Sequence, residues 1–268
     1  MQVANALRAA ILTKTLQPGE RLPSGAELAK QYGVARMTIQ NAIGVLRDEG
    51  LIVSRQGSGV YVKERTERPV SLRPHIERAF EASNVVIDFA GFSSETLQGA
   101  LQEPLDKIRV GRLVPESIAI RIVVPDMTRP MALPCEVEGL ADSPAYRDRM
   151  QKVMLRHTTT IVDSVQELAD LGLVKTASVR IRVHTIPPIF KLYLINRQDA
   201  FFGFYPVMQR KLTIQGEPHE IYDLMGKDAT LFHYSRTDDT DSDDGEYIDE
   251  AQRWFDTIWT TLGRDLTP

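Results

Sequence analysis

Arg36, Thr38 and Gln40 stand at alternate positions of one short stretch, and Arg55, Gln56 and Gly57 follow a little further on. A guanidinium, a hydroxyl and a carboxamide are groups that hydrogen-bond base edges and phosphate oxygens. Arginine suits guanine in bidentate fashion, whereas glutamine suits adenine or a phosphate. Gly57, Ser58 and Gly59 carry little or no side chain, so the backbone there can approach a phosphate or a minor groove closely. In the C-terminal half, Lys191 and Asn196 are a second pair able to hold an anion or another polar ligand by hydrogen bonds.

Two helices and a hairpin must position the first group. Ser24 and Glu27 have capping-box spacing, which starts a helix over 25–31. Gly33 supplies the left-handed backbone that a sharp inter-helix turn requires. A second helix over 35–49 puts Ile39, Ala42, Ile43 and Leu46 on one face and leaves Arg36, Thr38 and Gln40 toward solvent. Gly50 caps that helix, and strands over 51–54 and 60–62 enclose the small residues of a wing. This order predicts a winged helix-turn-helix that reads duplex DNA.

The same residues resemble the GntR family of bacterial transcription regulators. The matching pieces are a leading amphipathic helix over 3–13, Leu16-Gln17-Pro18-Gly19-Glu20-Arg21-Leu22-Pro23-Ser24, Gly33-Val34-Ala35-Arg36-Met37-Thr38-Ile39, Leu46-Arg47-Asp48-Glu49-Gly50-Leu51 and Arg55-Gln56-Gly57-Ser58-Gly59. The resemblance implies a homodimer on a pseudo-palindromic operator in double-stranded DNA. It implies contacts from Ser24, Arg36, Thr38 and Gln40 and from the wing residues Arg55, Gln56 and Gly57. Ala26 and Gln40 depart from the family pattern, which often has arginine at both places, so the family's operator sequence does not transfer.

The 268 residues suffice for two domains, with a boundary near residue 66. The expected division is a DNA-binding domain over 1–66, a charged linker and connecting helix over 67–83 (helix 76–83), and an α/β regulatory and dimerisation domain over 84–268. Charge divides with it: residues 1–68 hold 10 Lys+Arg against 6 Asp+Glu, a net of +4, and the remainder holds 22 against 30, a net of −8. A basic head and an acidic body suit a chain that docks on DNA by one end. No long apolar run or signal peptide is present, so the expectation is a cytoplasmic protein without a membrane partner. Cys135 is the single cysteine and cannot form an internal disulfide.

Beyond the linker, near-continuous apolar strands over 84–90 and 117–124 flank a helix over 94–113 interrupted by Pro104, a pattern for a βαβ unit. A loop-rich excursion over 125–144 follows, then a helix over 146–171 and a half-exposed strand over 179–185. A hairpin joins 190–196 to 200–206 and turns at 197–199, and short strands cover 211–214 and 230–234. The last helix, over 246–262, carries Ile248, Ala251, Phe255, Ile258, Trp259 and Leu262 along one side. The expected fold is therefore an α+β winged helix-turn-helix followed by an α/β domain with a mixed sheet.

The hairpin is similar to the phospholipase D superfamily, whose signature is His-x-Lys, four residues, Asp, and a following Ala-Phe-x-Gly strand. This chain reads Ile189-Phe190-Lys191, then Asn196, then Ala200-Phe201-Phe202-Gly203. That superfamily's nucleophile is the histidine, and Ile189 cannot attack phosphorus. No catalytic residue, cofactor or metal is expected. His184 is out of register and reads as a partly exposed strand residue, while His75, His157, His219 and His233 lack metal-ligand spacing. Asp239, Asp241, Asp243 and Glu250 fit positions of a calcium loop, but Asp244 stands where its glycine belongs and Gly245 comes one late.

These readings converge on a DNA-binding transcription regulator, by expectation a repressor, whose second domain dimerises and can take a small-molecule or anionic effector. Two alternatives stay open at this level: a phosphodiesterase or phospholipase-like enzyme tethered to DNA, and an effector-free regulator with a purely structural second domain.

Overall fold

Apolar residues three and four apart on the first helices close a small core of their own. Val3, Leu7 and Ile11 of α1 (Gln2–Leu12), Leu28 of α2 (Gly25–Tyr32) and Ile39, Ala42 and Leu46 of α3 (Arg36–Asp48) meet Leu22, Ile52 and Val62 there. Strands β1 (Ile52–Arg55) and β2 (Gly59–Val62) pair antiparallel, with Ile52 opposite Val62 and Arg55 opposite Gly59. The computed structural model describes all residues except 1, 13–14, 18, 49–50, 56–58, 63–71, 227–228, 238–241 and 267–268, and the side chains of Gln2, Ala9, Leu12, Asp48, Val53 and Arg55. The Gly50 cap, the charged linker, the wing tip with Gln56 and Gly57, the Arg55 side chain, and Asp239 and Asp241 therefore lie outside the described residues. The chain divides into two units, Met1–Arg68 and Pro69–Pro268.

The second unit runs α4 (Leu72–Ala79), β3 (Asn84–Ala90), α5 (Glu95–Arg109), β4 (Ser117–Pro125), β5 (Cys135–Glu136), α6 (Pro144–Asp170), β6 (Thr176–His184), β7 (Phe190–Ile195), β8 (Asp199–Phe204), β9 (Val207–Ile214), β10 (Glu217–Leu224), β11 (Phe232–Ser235), α7 (Asp244–Thr261) and β12 (Arg264–Asp265). Seven strands form a mixed sheet in the order β11-β8-β7-β3-β4-β6-β12. β3, β4 and β6 are mutually parallel and the other pairings are antiparallel. A separate three-stranded sheet has the order β5-β10-β9.

Alternation along the central strands sorts side chains to two faces. Val85, Ile87 and Phe89 of β3 and Tyr193 and Ile195 of β7 pack with Ile76 of α4, Leu101 of α5 and Val165 of α6. On the other face Ala90, Val123, Leu192, Leu194 and Ala200 receive Ile248, Phe255, Ile258 and Trp259 of α7. That face also buries the Asp88 carboxylate, which takes two 2.6 Å bonds from Arg121 and a 2.9 Å bond from Gln252 of α7. A bidentate pair with its lone pairs filled fixes how α7 lies on the sheet.

Several expectations are corrected. α5 is not interrupted at Pro104, because Leu97, Leu101, Leu105 and Ile108 bury a face on both sides of it and outweigh the roughly 3 kcal/mol that an interior proline costs. α4 begins earlier than expected, since Pro74 sits in its first turn, where a missing N–H costs nothing. Leu262 is half exposed beyond α7. β10 carried no strand signal, its residues being mostly polar with Pro218 among them. His184 is buried rather than half exposed: its Nδ1 accepts a 3.1 Å bond from Ile186 N, and burial pushes its pKa down to about 4. α7 starts at Asp244, so Asp244, Gly245 and Glu250 lie within a helix.

Asn196 is likewise a structural residue. It begins the β7–β8 turn at φ 50° and Arg197 follows at 56°, so the turn sits one residue earlier than read. Its Oδ1 accepts from Val86 N at 2.8 Å and its Nδ2 donates to Ala79 O at 3.0 Å, so the carboxamide ties the hairpin to β3 and to the end of α4. Asn196→Ala removes the partner of two backbone groups and should lower unfolding free energy by about 1–3 kcal/mol. A urea titration that finds the midpoint unmoved would contradict this role.

Acid should also weaken the fold through His184. The unfolded imidazole takes its proton near pH 6.5 and the folded one only near 4, so stability falls as pH drops through that interval. His184→Gln should flatten this part of a stability profile measured by urea unfolding.

Candidate functional site

The helical period of α3 that buries Ile39, Ala42 and Leu46 turns the remaining residues outward. Arg36, Met37, Thr38, Gln40 and Asn41 are all exposed, and Ile39 between them is completely buried. The result is a ridge of hydrogen-bonding groups around one apolar side chain, Met37, at 66% exposure. Sequence reasoning passed over Met37 and Asn41, although their spacing from Arg36 and Gln40 places them on the same ridge. A thioether beside polar donors offers contact to a thymine methyl group.

α2 holds this ridge in place. Ser24 Oγ accepts from Glu27 N at 3.3 Å, and Glu27 Oε2 accepts from Ser24 N at 2.8 Å, the reciprocal cap expected from the spacing. These bonds hold the Glu27 carboxyl below its ordinary value. Ser24 is exposed, and its hydroxyl can still donate outward. Gly33 has φ 63° and donates its N–H to Ala29 O, making the left-handed corner between α2 and α3.

At the wing, the strand ends Arg55 and Gly59 face each other. Gly59 has φ 118°, and a Cβ there would meet Arg21 Nε at 2.8 Å, so the Arg21 guanidinium lies against the wing. Arg47 donates to Ser54 Oγ at 2.8 Å and joins α3 to β1. Arg21, Lys30, Arg36 and Arg47 are exposed cations of this unit. Arg21 was missed as a site residue because only folding brings it beside Gly59.

Lys191 lies elsewhere, in a cavity of about 410 Å³ in the second unit. The antiparallel pairing of β7 with β3 sets Leu192 opposite Ala90, so Lys191 stands beside the carboxyl end of β3, where the chain turns into α5. Crevices at the carboxyl ends of parallel strands are where open α/β sheets hold ligands. Lys191 is 4% exposed, and among the described residues its polar partner is Gly226 O at 2.7 Å. Burial pushes its pKa down to about 8. Asp223, also in the lining, pairs with Arg210 at 2.9 Å and accepts from the Tyr146 hydroxyl and from Leu224 N at 2.7 Å. Asn196 does not line this space.

The fold also gathers histidines that the sequence keeps apart. Ligand atoms of His75, Asp199 and His233, from α4, β8 and β11, lie within 4.8 Å of one another. His233 Nε2 is 2.6 Å from Asp199 Oδ1, and His75 Nδ1 is buried without a hydrogen-bond partner. Among the described residues these three could hold a metal ion; positions so far apart in sequence show no ligand spacing.

The first unit is thus a winged helix-turn-helix with an outward recognition ridge, the class of domain that reads DNA. Residues 1–62 match the bacterial regulatory proteins, gntR family, and this N-terminal domain is a helix-turn-helix domain of that family. It is 41% identical over 70 residues to the HTH-type transcriptional regulator Rv0792c of Mycobacterium tuberculosis, covering 26% of this chain and 26% of that protein. It is 44% identical over 63 residues to the histidine utilization repressor of Klebsiella aerogenes, covering 24% and 26%. Among solved structures, the AraR DNA-binding domain in complex with operator ORX1 is 39% identical over 23% of this chain and 74% of that one, with a TM-score of 0.22. The match spans about a quarter of the length of these curated relatives. Among the described residues no helix is long and apolar enough to cross a membrane.

The buried ammonium has a measurable cost. Because the Lys191 pKa is lowered on folding, the unfolded chain binds the extra proton between about pH 8 and 10.5, and stability rises with pH across that window. Below it the penalty is about 3 kcal/mol. Lys191→Met should therefore unfold at higher urea than the parent at pH 7, and the difference should shrink toward pH 10. A gap independent of pH would show that the lysine is not desolvated.

Proposed function

We propose that this protein is a sequence-specific DNA-binding transcription regulator, a repressor, acting as a homodimer on a pseudo-palindromic operator. The observation that carries this is the exposed ridge Arg36-Met37-Thr38-Gln40-Asn41 on a helix whose opposite face is fully buried. Arg36 and Gln40 read bases, and Ser24, Arg21 and the wing residues Arg55, Gln56 and Gly57 grip the phosphate backbone or minor groove. That relatives of the N-terminal domain include named repressors supports the sign. The net charge of +4 on residues 1–68 against −8 on the rest supports docking by this end alone.

The α/β domain, on this reading, holds two heads in register and responds to a small molecule. A ligand that prefers one arrangement of the paired domains changes operator affinity by linkage. Its hairpin, with Lys191 opposite Gly203, supports descent from a phospholipase D-like fold that has lost its nucleophile at Ile189. The cavity at Lys191 favours a sensing role over a purely structural one.

A gel shift on the promoter region of the protein's own gene should show binding that unrelated competitor DNA does not remove, and that weakens steeply with salt. Arg36→Ala should cost about 1–3 kcal/mol on the operator and little on random DNA. An equal loss on both would make Arg36 a backbone contact, and no preference for the promoter would overturn the proposal.

A further inference from the structure

Three elements distant in sequence meet on one face of the seven-stranded sheet. β8 and β11 pair antiparallel at its edge, with Phe201 opposite His233 and Asp199 opposite Ser235. Asp199 and Phe201 are two apart on one strand and His233 stands opposite Phe201, so all three side chains leave the same face. α4 lies against that face: Ile76 shares a core with Phe201, and the preceding residue, His75, packs on both Phe201 and His233.

Aromatic contacts set the rings. Phe201 is fully buried; it stacks on His233 at 4.3 Å between centroids and meets His75 in a T-shaped contact at 4.9 Å. The two imidazoles are themselves 4.4 Å apart. One ligand atom from each of His75, Asp199 and His233 thereby falls within 4.8 Å of the other two. A hydrogen-bonded His233–Asp199 pair, at 2.6 Å, would by itself account for two of these residues. It leaves His75 Nδ1 buried with no hydrogen-bond partner among the described residues, which costs the fold.

We propose that His75, Asp199 and His233 bind a divalent transition-metal ion of the zinc class, with water in the remaining position. Two imidazole nitrogens and a carboxylate oxygen are a donor set that zinc takes in three-ligand sites, whereas calcium and magnesium take oxygen ligands. Ligands about 2.0–2.2 Å from a tetrahedral ion stand roughly 3.3–3.6 Å apart. The widest pair therefore draws in by about 1.5 Å at most, and the His233–Asp199 pair opens by somewhat less. The broad terminal torsions of histidine and aspartate supply movements of that size without shifting the helix or the strands. His233 and Asp199 keep 21% and 22% of their side-chain surface open, which leaves an outward position for the water. Bound there, the ion ties α4, the first helix of the second unit, to the edge of its sheet. The site belongs to that unit alone and does not rest on the DNA-binding reading.

The test is calorimetric titration of the tag-free full chain, first stripped with a chelator, with zinc, magnesium and calcium chlorides. Zinc should bind at one ion per chain, and magnesium and calcium not measurably. Excess zinc should also raise the melting temperature, because the unfolded chain does not hold the three ligands together. His75→Gln and His233→Gln should each weaken zinc binding by about tenfold or more and remove the thermal shift, while His219→Gln, on the other sheet, should bind as the parent does. X-ray absorption on the zinc-loaded parent should show nitrogen and oxygen neighbours, imidazole scattering and no sulfur, a readout that stands even where a variant fails to fold. Absence of zinc binding by the parent overturns the proposal, as does parent-like affinity in both His75→Gln and His233→Gln. Magnesium binding as tightly as zinc overturns it too, as does an equal loss in His219→Gln or a sulfur ligand, which would move the ion to Cys135.

Discussion

The pairing of β7 against β3 is the contact on which the second unit is arranged. β3 has a parallel neighbour, β4, on one side, reached through α5, and an antiparallel neighbour, β7, on the other. At that junction the direction of the sheet changes, and the chain leaving β3 must turn away over an end of the sheet that no strand continues. Asn196 clamps the far end of the pairing with bonds to Val86 and Ala79. Register then follows residue by residue, and Lys191 arrives beside the turn into α5. A slip of one residue would turn Lys191 toward the α7 face and Leu192 into the cavity.

α3 solves a different problem with one period. Its residues Ile39, Ala42 and Leu46 hold the first unit together, and the same 3.6-residue repeat leaves the intervening positions in water. The ridge is held in place because its opposite face is core. The capping box at Ser24 and the left-handed corner at Gly33 set where the ridge starts.

Local chemistry made the first unit legible in sequence. Ser24 with Glu27, Gly33 between two amphipathic runs, and glycine-rich residues between β strands each specify a conformation within a few positions, so the order of elements follows from neighbours. In the second unit the apolar runs of β3 and β4 and the stripe on α7 were equally plain. Contacts distant in sequence were not. Asn196 could be read as a ligand group because its partners, Val86 and Ala79, are more than a hundred residues away. His184 alternates like an exposed residue and is covered by the fold around it. Gly203 shows the converse: the Ala-Phe-x-Gly pattern pointed to it, and the physical reason is a Thr230 carbonyl 2.5 Å from where a Cβ would stand. The β9–β10 hairpin stayed half hidden because its mostly exposed residues carry little apolar alternation.

The two candidate sites break the ordinary rule of burial in opposite senses. On α3 an apolar side chain, Met37, is held out in water among polar ones. In the cavity an ammonium and a hydroxyl are held away from water with fewer partners than they can use. Neither arrangement stabilises the chain, and each is carried by a well-packed core next to it: Ile39 and Leu46 beneath the ridge, Phe89 and Tyr193 beside the lysine. Local choices that conflict with folding are expected where a surface is completed by something outside the chain. On the reading proposed above, base edges complete the ridge and a ligand completes the cavity.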